Sequence, residues 1–367
     1  MFFRIERRLE PAESPMAIAI AMGVAILFAL FLGGGLFMLE GTSPVEAYGS
    51  LLQEAFASVR GFGFTVVKAA PLSLIALGTI VAWRSGFGYL GFEGCFLIGA
   101  TATAAFAMQC GEGGWFGVMH FGIFIPLCIA VSLTAGGAWA GGVGLLRTRF
   151  GGNEVLISLM TNYVAILLVQ YLISGPMRAP GGLPQSERMP PETWLPFIME
   201  GTRAHAGILI AIPAAVLVWV LLRKTAVGYE MIVNSMSPPA ARYAGIRVDR
   251  IILMSACLAG GLGGLAGMVE LLGVQHRLVD GMSGGVGFIG IVVALLARLN
   301  PLWVLPTAVL YGGLTVGADA MQRSTGVPSS ITFILQSLIV LLVLSSDLLR
   351  RYRIRALGVS VSIKGST

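Results

Sequence analysis

The chain has 367 residues, of which 56% are hydrophobic and only 11% are charged. Soluble domains carry about 25% charged residues, so this chain has too few polar side chains to cover a water-soluble surface, and an all-α, multi-pass membrane protein is predicted. Its net charge of +6 is interpreted as a consequence of membrane orientation. Contacts with membrane lipids are expected, and contacts with nucleic acid are not. The four cysteines lack the spacing of a zinc site or a disulfide framework; they are Cys95, Cys110, Cys128 and Cys257.

Ten apolar segments along the chain are predicted to cross the membrane. They are roughly 16–39, 63–83, 90–108, 121–146, 155–175, 207–222, 251–272, 285–297, 301–318 and 331–349. The first is longer than a signal-peptide core and no A-x-A cleavage site follows it, so it is interpreted as a retained span. The eighth is shorter than the about 20 residues that a bilayer requires. A re-entrant or broken helix is therefore an alternative for the eighth span and for the similar third one.

Lysine and arginine set the predicted orientation, because cytoplasmic loops are enriched in both. With the N-terminus in the cytoplasm, ten spans return the C-terminus to the same side. Of the 24 basic residues, 17 then lie on the cytoplasmic side and 6 lie outside. The loop 223–250 and the tail 350–367 are cytoplasmic in this arrangement. The three histidines, His120, His205 and His276, fall on the outer side, where solvated or interfacial side chains are expected.

Two glycine-rich stretches resemble one another and lie five spans apart. The first contains Gly91-Phe92-Glu93-Gly94 and the second contains Gly287-Phe288-Ile289-Gly290. Because a unit of five spans is odd, a second copy must insert upside down, which predicts two inverted repeats, 16–175 and 207–349, in a single transmembrane domain of residues 1–367. Paired glycine-interrupted spans mark the translocation path in such folds. A chance likeness, or a packing seam without a cavity, is the alternative.

A short basic element, residues 235–250, separates two apolar segments in the predicted cytoplasmic loop. Ser237 can cap a helix, Pro238 suits the first helical position, and Gly245 suits the residue after the last turn. A helix of two turns is marginal alone, so we expect it to fit a groove on a partner protein. A helix that lies on the lipid headgroups is the alternative.

This element resembles the N-P-x-A-A-x-Y-A-G-I signature of permeases from bacterial ABC importers of nucleosides and simple sugars, with Ser237 in place of the asparagine. Further stretches carry the same resemblance, in order, over about residues 65–350. They are GFEG at 91–94, IGA at 98–100, NEV at 153–155, SLMTNY at 158–163, SGP at 174–176, ARLNPLWVLPTAVLYGGL at 297–314, MQ at 321–322 and GVP at 326–328.

The resemblance implies a permease subunit that forms the translocation path of an ATP-driven importer in the bacterial inner membrane. It implies three protein partners: an ATPase subunit, a second permease subunit that is often a different chain, and an external substrate-binding lipoprotein. ATP and Mg²⁺ would be bound by the ATPase, since this chain has no G-x-x-x-x-G-K-[ST] motif. No cofactor, metal site or catalytic residue is expected in the chain itself, which is not predicted to be an enzyme.

The resemblance also assigns a coupling role to two cytoplasmic regions. The short basic element would be the coupling helix that docks in the ATPase. Asn153 and Glu154, at the start of the fifth span, would form a second contact. A helix cap is the alternative for these two, because an acceptor and a negative charge suit a helix N-terminus. The residues assigned to coupling are Ser237, Pro238, Pro239, Ala240, Ala241, Arg242, Tyr243, Ala244, Gly245, Asn153 and Glu154.

Polar and aromatic side chains within the spans are assigned to the translocation path. They are Tyr89, Phe92, Glu93, Asn162, Phe288 and Gln336. Aromatic faces favour a flat or ring-shaped solute such as a nucleoside, and Glu93 would accept a hydrogen bond; a simple sugar is also compatible. Alternatively, Glu93 caps the short helix that begins at Gly94. The chain departs from the family pattern at three positions near the path, where Tyr89, Cys95 and Ile289 replace polar residues.

An ion-coupled secondary transporter is the alternative function, since inverted five-helix repeats also build that class. Such a transporter needs ionisable groups inside the membrane. The candidates are Lys68, Glu93, Glu270 and Asp319. Of these, only Glu93 is expected to lie deep in the membrane, because the others fall near predicted span ends.

Overall fold

The computed structural model describes residues 3–7, 15–110, 117, 119–199, 201–326 and 329–356 of the chain. Most of this described part is helical. The α-helices are α1 (Pro15–Leu39), α2 (Pro44–Leu52), α3 (Val59–Arg84), α4 (Phe92–Met108), α5 (Phe121–Phe150), α6 (Glu154–Ser174), α7 (Gly207–Lys224), α8 (Ala226–Met236), α9 (Pro238–Tyr243), α10 (Val248–Glu270), α11 (Val286–Leu296), α12 (Pro301–Thr325) and α13 (Ser329–Arg351). Two short strands are β1 (Phe3–Arg7) and β2 (Tyr352–Ala356), and π-helical turns cover Gln53–Ala57 and Leu271–Gln275.

Among the described residues, six helices are long and apolar enough to cross a membrane; they are α3, α5, α6, α7, α12, and α10 with the π-helical turn that follows it. A seventh is present if the bent pair Gly23–Leu39 and Pro44–Ala57 forms one span. With a rise of 1.5 Å per residue, the 11 residues of α11 extend about 16 Å, which is half of the about 30 Å hydrocarbon core. The predicted eighth span is therefore a helix too short to cross alone, and a count of ten spans is not confirmed.

The described residues of 50–320 form one compact unit built around α3 and α10. Both helices are apolar around most of their circumference and are largely buried, as such helices usually are. α10 packs against α3, α4 and α5. Its approach to α5 depends on glycine, since a Cβ on Gly136 would lie 2.8 Å from the Gly264 Cα. α11 packs on α3 and against α4, and α6 packs on α4 and α5.

A second compact unit comprises the described residues of 1–49 and 321–367. Within it α1 packs on α13, and β1 pairs with β2 in antiparallel register, with Phe3 opposite Ala356. The Tyr48 hydroxyl donates to the Leu30 carbonyl at 2.6 Å, which fixes the return of the chain after α1. Residues 357–367 of the predicted cytoplasmic tail lie outside the described residues.

The predicted cytoplasmic loop 223–250 is helical for most of its length, which the sequence analysis did not anticipate. α7 continues to Lys224, α8 follows at once, and α9 is separated from α8 by a single residue. The Thr225 hydroxyl accepts the Gly228 N–H at 3.1 Å and so caps α8. The short basic element is therefore the last part of a helical hairpin, and not an isolated helix on a loop.

The connection between α6 and α7 is irregular and is attached to the residues that follow α10. The Met189 N–H donates to the His276 carbonyl at 2.8 Å, and the Leu195 N–H donates to the Leu272 carbonyl at 3.0 Å. These bonds satisfy backbone groups that an irregular segment would otherwise leave unpaired.

Two of the three histidines are buried in this region, which corrects the prediction that they are solvated. His205 Nδ1 accepts the Gly207 N–H at 3.1 Å. The His205 ring packs on Gly273 so closely that a Cβ on this glycine would lie 2.6 Å from the ring atoms. The His276 ring stacks on Trp194 with ring centroids 3.9 Å apart. Burial, and next the neighbouring His276, lower the pKa of His205 to about 4. The His205 ring is therefore neutral at pH 7.

Candidate functional site

The two glycine-rich stretches meet at the N-terminal ends of α4 and α11. The Glu93 side chain, 4% exposed, accepts the Gly287 N–H through Oε2 at 2.8 Å. A Cβ on Gly287 would lie 2.6 Å from the Glu93 Cα, so this approach requires glycine. Because a helix N-terminus carries partial positive charge, the carboxylate interacts favourably with both helices. Glu93 thus caps α11, and not a helix beginning at Gly94; α4 itself begins at Phe92.

The three aromatic rings assigned to the path differ in exposure. Tyr89 and Phe92 are 0% exposed, and their rings meet edge to face with centroids 5.1 Å apart. Tyr89 also stacks on Phe87 and donates through its hydroxyl to the Gly91 carbonyl at 3.1 Å. Phe288 is 46% exposed. In this conformation Tyr89 and Phe92 stabilise the turn before α4 and do not face open space as predicted, whereas the Phe288 ring is accessible.

α6 binds the residues that precede α4 through polar side chains on one face. Residues 84–94, which comprise the last residue of α3, the connection to α4 and the first turn of α4, are called the bridging segment from here on. Asn162 Oδ1 accepts the Gly94 N–H at 2.8 Å, and Asn162 Nδ2 donates to the Leu90 carbonyl at 3.1 Å. Ser158 Oγ, one turn earlier, accepts the Leu90 N–H at 3.1 Å. Asn162 is buried, and its amide satisfies backbone groups of an irregular segment.

Glu154 and Asn153 extend these contacts to the start of α6. Glu154 Oε1 accepts the Gly88 N–H at 3.4 Å and forms an ion pair with Arg147. Asn153 Oδ1 accepts the Val155 N–H at 3.0 Å and so caps α6. The helix cap offered as the alternative to a partner contact is therefore present at Asn153, while the Glu154 carboxylate is engaged within the chain.

The short basic element forms α9 with the caps predicted from the sequence. Ser237 Oγ accepts the Ala240 N–H at 3.3 Å at the first turn. After the last turn, Gly245 has a φ of 82° and its N–H donates to the Arg242 carbonyl at 3.0 Å. A left-handed glycine in this position is a common helix end. The predicted position and boundaries of this helix are confirmed.

α9 has one face against its own chain and one face free. Ala241 is buried, where α9 contacts α8 and α10. Ala240 and Arg242 are exposed, and Tyr243 is 98% exposed. A partner can therefore reach Ala240, Arg242 and Tyr243, whereas Ala241, which was also assigned to coupling, stabilises the hairpin itself.

The remaining candidates differ in their burial. Gln336 is buried in α13, which belongs to the other compact unit. Glu270 is 4% exposed at the end of α10, so its side chain is enclosed by protein and does not reach solvent. Lys68 and Asp319 are exposed. Within the described ranges, no group of three or more His, Cys, Asp or Glu side chains could hold a metal ion.

Sequence reasoning missed three side chains that hold the bridging segment. Asn234 Nδ2 of α8 donates to the Ser85 carbonyl at 2.7 Å, and Arg84 Nη2 donates to the Leu299 carbonyl at 3.2 Å. Ser158 lies four residues from both Glu154 and Asn162, which were assigned from the sequence, and that spacing would have indicated a polar stripe on one face of α6. Asn234 and Arg84 carry no comparable signal, because their partners are 149 and 215 positions away in the chain.

Known proteins resemble this chain over almost its whole length. Residues 61–344 match a family model described as the branched-chain amino acid transport system / permease component. The guanosine ABC transporter permease protein NupP of Bacillus subtilis is 33% identical over 335 residues, covering 89% of this chain and 93% of the relative. The glucose ABC transporter permease protein TsgB13 of Haloferax volcanii is 31% identical over 378 residues, covering 99% and 96%. The nucleoside ABC transporter permease protein NupB of Lactococcus lactis is 28% identical over 327 residues, covering 86% and 88%.

Proposed function

Because the chain belongs to the family of permease components of branched-chain amino acid transport systems, we propose that it builds the translocation path of an ATP-driven importer for a nucleoside or related ring compound. The chain is a permease component of an ABC transporter. The observation that carries the choice of substrate is its likeness to permeases named for guanosine and nucleosides. A simple sugar is the second candidate, favoured by 31% identity to a permease named for glucose. The ion-coupled alternative has no support from these relatives.

The proposed path passes beside the α4–α11 junction. Three observations support this placement: α11 is too short to cross a bilayer, two helix N-termini meet there, and the Phe288 ring is accessible. Broken helices whose N-termini converge near the membrane midplane form substrate sites in transporters built from inverted repeats. Two matching stretches that meet through their N-terminal ends also support the inverted repeat and the ten-helix arrangement.

The proposed coupling site is the free face of α9, which docks on a cytoplasmic ATPase subunit that binds ATP and Mg²⁺. The exposed Tyr243 ring supports this role, since a large apolar surface held out on a capped helix gains by burial in a partner. Asn153 is exposed on the loop between α5 and α6 and is a second candidate contact. A second permease subunit and an external substrate-binding lipoprotein complete the proposed importer.

The proposed location is the bacterial inner membrane with both chain ends in the cytoplasm. The antiparallel pairing of β1 with β2 supports a common side for the two ends, as an even number of crossings requires. The basic residues of the α7–α10 region support a cytoplasmic position for α8 and α9.

The test is uptake of radiolabelled guanosine and glucose by cells that express the permease with its ATPase, second permease and lipoprotein. We expect guanosine uptake that stops when the ATPase subunit is made inactive. Phe288→Ala should reduce uptake, whereas Phe121→Ala, the same change at another exposed ring, should not. Glucose uptake without guanosine uptake would instead establish the sugar. ATPase-independent uptake would contradict the proposal.

A further inference from the structure

The bridging segment is joined at its cytoplasmic end to α8. Asn234 Nδ2 donates to the Ser85 carbonyl at 2.7 Å, and the Asn234 side chain is 1% exposed. Among the described residues, Asn234 Oδ1 has no hydrogen-bond partner, so the bond to Ser85 is the polar contact that orients this buried amide. Ser237 both ends α8 and caps α9. α9 is therefore linked to Ser85 through α8 and Asn234.

Close backbone packing strengthens this connection. Gly86 has a φ of 79°, and a Cβ at this position would lie 3.1 Å from the Ser235 Cα. The backbone of the bridging segment thus lies directly on α8. On the opposite side, Arg147 donates to the Gly86 carbonyl at 3.4 Å, and the row of polar side chains on α6 holds the residues that follow.

The two ends of the bridging segment are joined to the two ends of α11. Arg84 Nη2 donates to the Leu299 carbonyl at 3.2 Å, just after α11, and Glu93 accepts the Gly287 N–H at 2.8 Å, within its first turn. Arg298 and Leu299 have φ values of 54° and 52°. Residues other than glycine rarely adopt this left-handed backbone unless surrounding contacts hold it.

We propose that the bridging segment transmits the movement of α8 and α9 to α11, and that Asn234 is the positioning residue that makes the connection. This inference rests on the proposed docking of α9 on an ATPase subunit. The physical reason is stiffness. The backbone of this short, mostly buried segment is bonded to side chains of α6 and α8. Its Glu93 and Arg84 side chains are bonded to the first turn of α11 and to Leu299 just after α11. Such a segment cannot absorb a shift of α8 locally, because packed interiors move between discrete arrangements and do not deform smoothly.

Asn234→Ala in the complete importer tests the inference. The variant removes one hydrogen bond and keeps the exposed face of α9. We expect the ATPase subunit to stay bound, while guanosine transported per ATP hydrolysed falls about fivefold or more, the effect of one lost buried hydrogen bond. Ser235→Ala is the matched control, because the Ser235 hydroxyl donates to Ile232 within α8 and leaves the bridging segment untouched. Arg84→Gln weakens the contact of the bridging segment with Leu299, just after α11, and should also lower the amount of guanosine transported per ATP hydrolysed.

The outcomes separate this inference from the proposed function. If Asn234→Ala assembles poorly, Arg84→Gln, at an exposed residue, supplies the test. A wild-type transport ratio in Arg84→Gln and in any assembled Asn234→Ala importer would overturn the inference. Failure of the docking itself gives a different result: Ala240→Glu on the free face of α9 would then leave the ATPase bound and stimulated. If Ala240→Glu uncouples transport from ATP hydrolysis while Asn234→Ala and Arg84→Gln do not, α9 is the docking site but the bridging segment is not the route.

Discussion

Glu93 and Gly287 are 194 residues apart in the chain, and a hydrogen bond of 2.8 Å joins the carboxylate of one to the backbone N–H of the other. The bond is enclosed by protein, and it connects the first turns of α4 and α11. A charged acceptor strengthens such a bond, and the positive ends of two helices stabilise the carboxylate. This one contact therefore sets the separation of the two helices beside the proposed path.

Replacing Glu93 by alanine should lower both stability and transport. The change leaves the Gly287 N–H unpaired inside the protein, which costs about 1–3 kcal/mol of the free energy of unfolding. We expect a lower thermal unfolding temperature of the purified permease and a loss of uptake of about tenfold. Glu93→Gln keeps an acceptor oxygen and should retain most of both. Equal losses in the two variants would show that the charge matters and the acceptor does not.

Gly287→Ala should separate α4 from α11. The added Cβ would stand 2.6 Å from the Glu93 Cα, closer than carbon atoms can approach, so one helix must shift. We expect a clear drop in thermal stability and loss of uptake. Gly142→Ala in α5 is the control, since a Cβ there meets nothing within 4 Å and the change raises helix propensity by up to about 1 kcal/mol. A Gly287→Ala permease as stable and active as the control would contradict the close approach.

Ala240→Glu and Ala241→Glu should fail in different ways. Ala240 is exposed on α9, so its replacement should leave the permease folded but release the ATPase subunit in co-purification. Ala241 is buried, and an unpaired charge there should destabilise the permease itself. Thermal unfolding of the purified permease distinguishes the two. An Ala240→Glu permease that retains a fully stimulated ATPase would remove the free face of α9 as the docking site.

Acid should destabilise the permease through His205. In the unfolded chain the imidazole takes up a proton near pH 6.5, whereas in the folded protein burial lowers its pKa to about 4. The contribution of His205 to the free energy of unfolding is therefore fully present above pH 6.5. It is lost as the pH falls towards 4, by a total of about 3 kcal/mol. The pKa of His276 is lowered as well, by burial and then by Arg188, and acts in the same direction.

The measurement is thermal unfolding of the purified permease between pH 4 and 7. His205→Gln cannot take up the proton, so its stability should depend less on pH in this interval. His120→Gln, at an exposed histidine, is the matched control and should follow the wild type. A wild-type pH dependence in His205→Gln would show that other groups cause the acid sensitivity.

Features that depend on composition or on near neighbours along the chain could be predicted from the sequence. The low fraction of charged residues indicated a membrane protein, and the motifs indicated the permease family. The capped helix at Ser237 and Gly245 was predictable because each cap is a hydrogen bond to a residue within a few positions. The cap at Asn153 was predictable as an alternative for the same reason.

Contacts between side chains that are distant in the sequence could be read only from the folded protein. Periodicity showed that Glu93 lies in an apolar segment, but its choice of Gly287 over its own helix depends on how α4 and α11 pack. The burial of His205 and of Tyr89 likewise depends on glycines and aromatic rings that fold against them. The bond from Asn234 to Ser85 spans 149 positions, and no local pattern encodes such a partner, because its energy is realised only when distant helices have already been brought into contact.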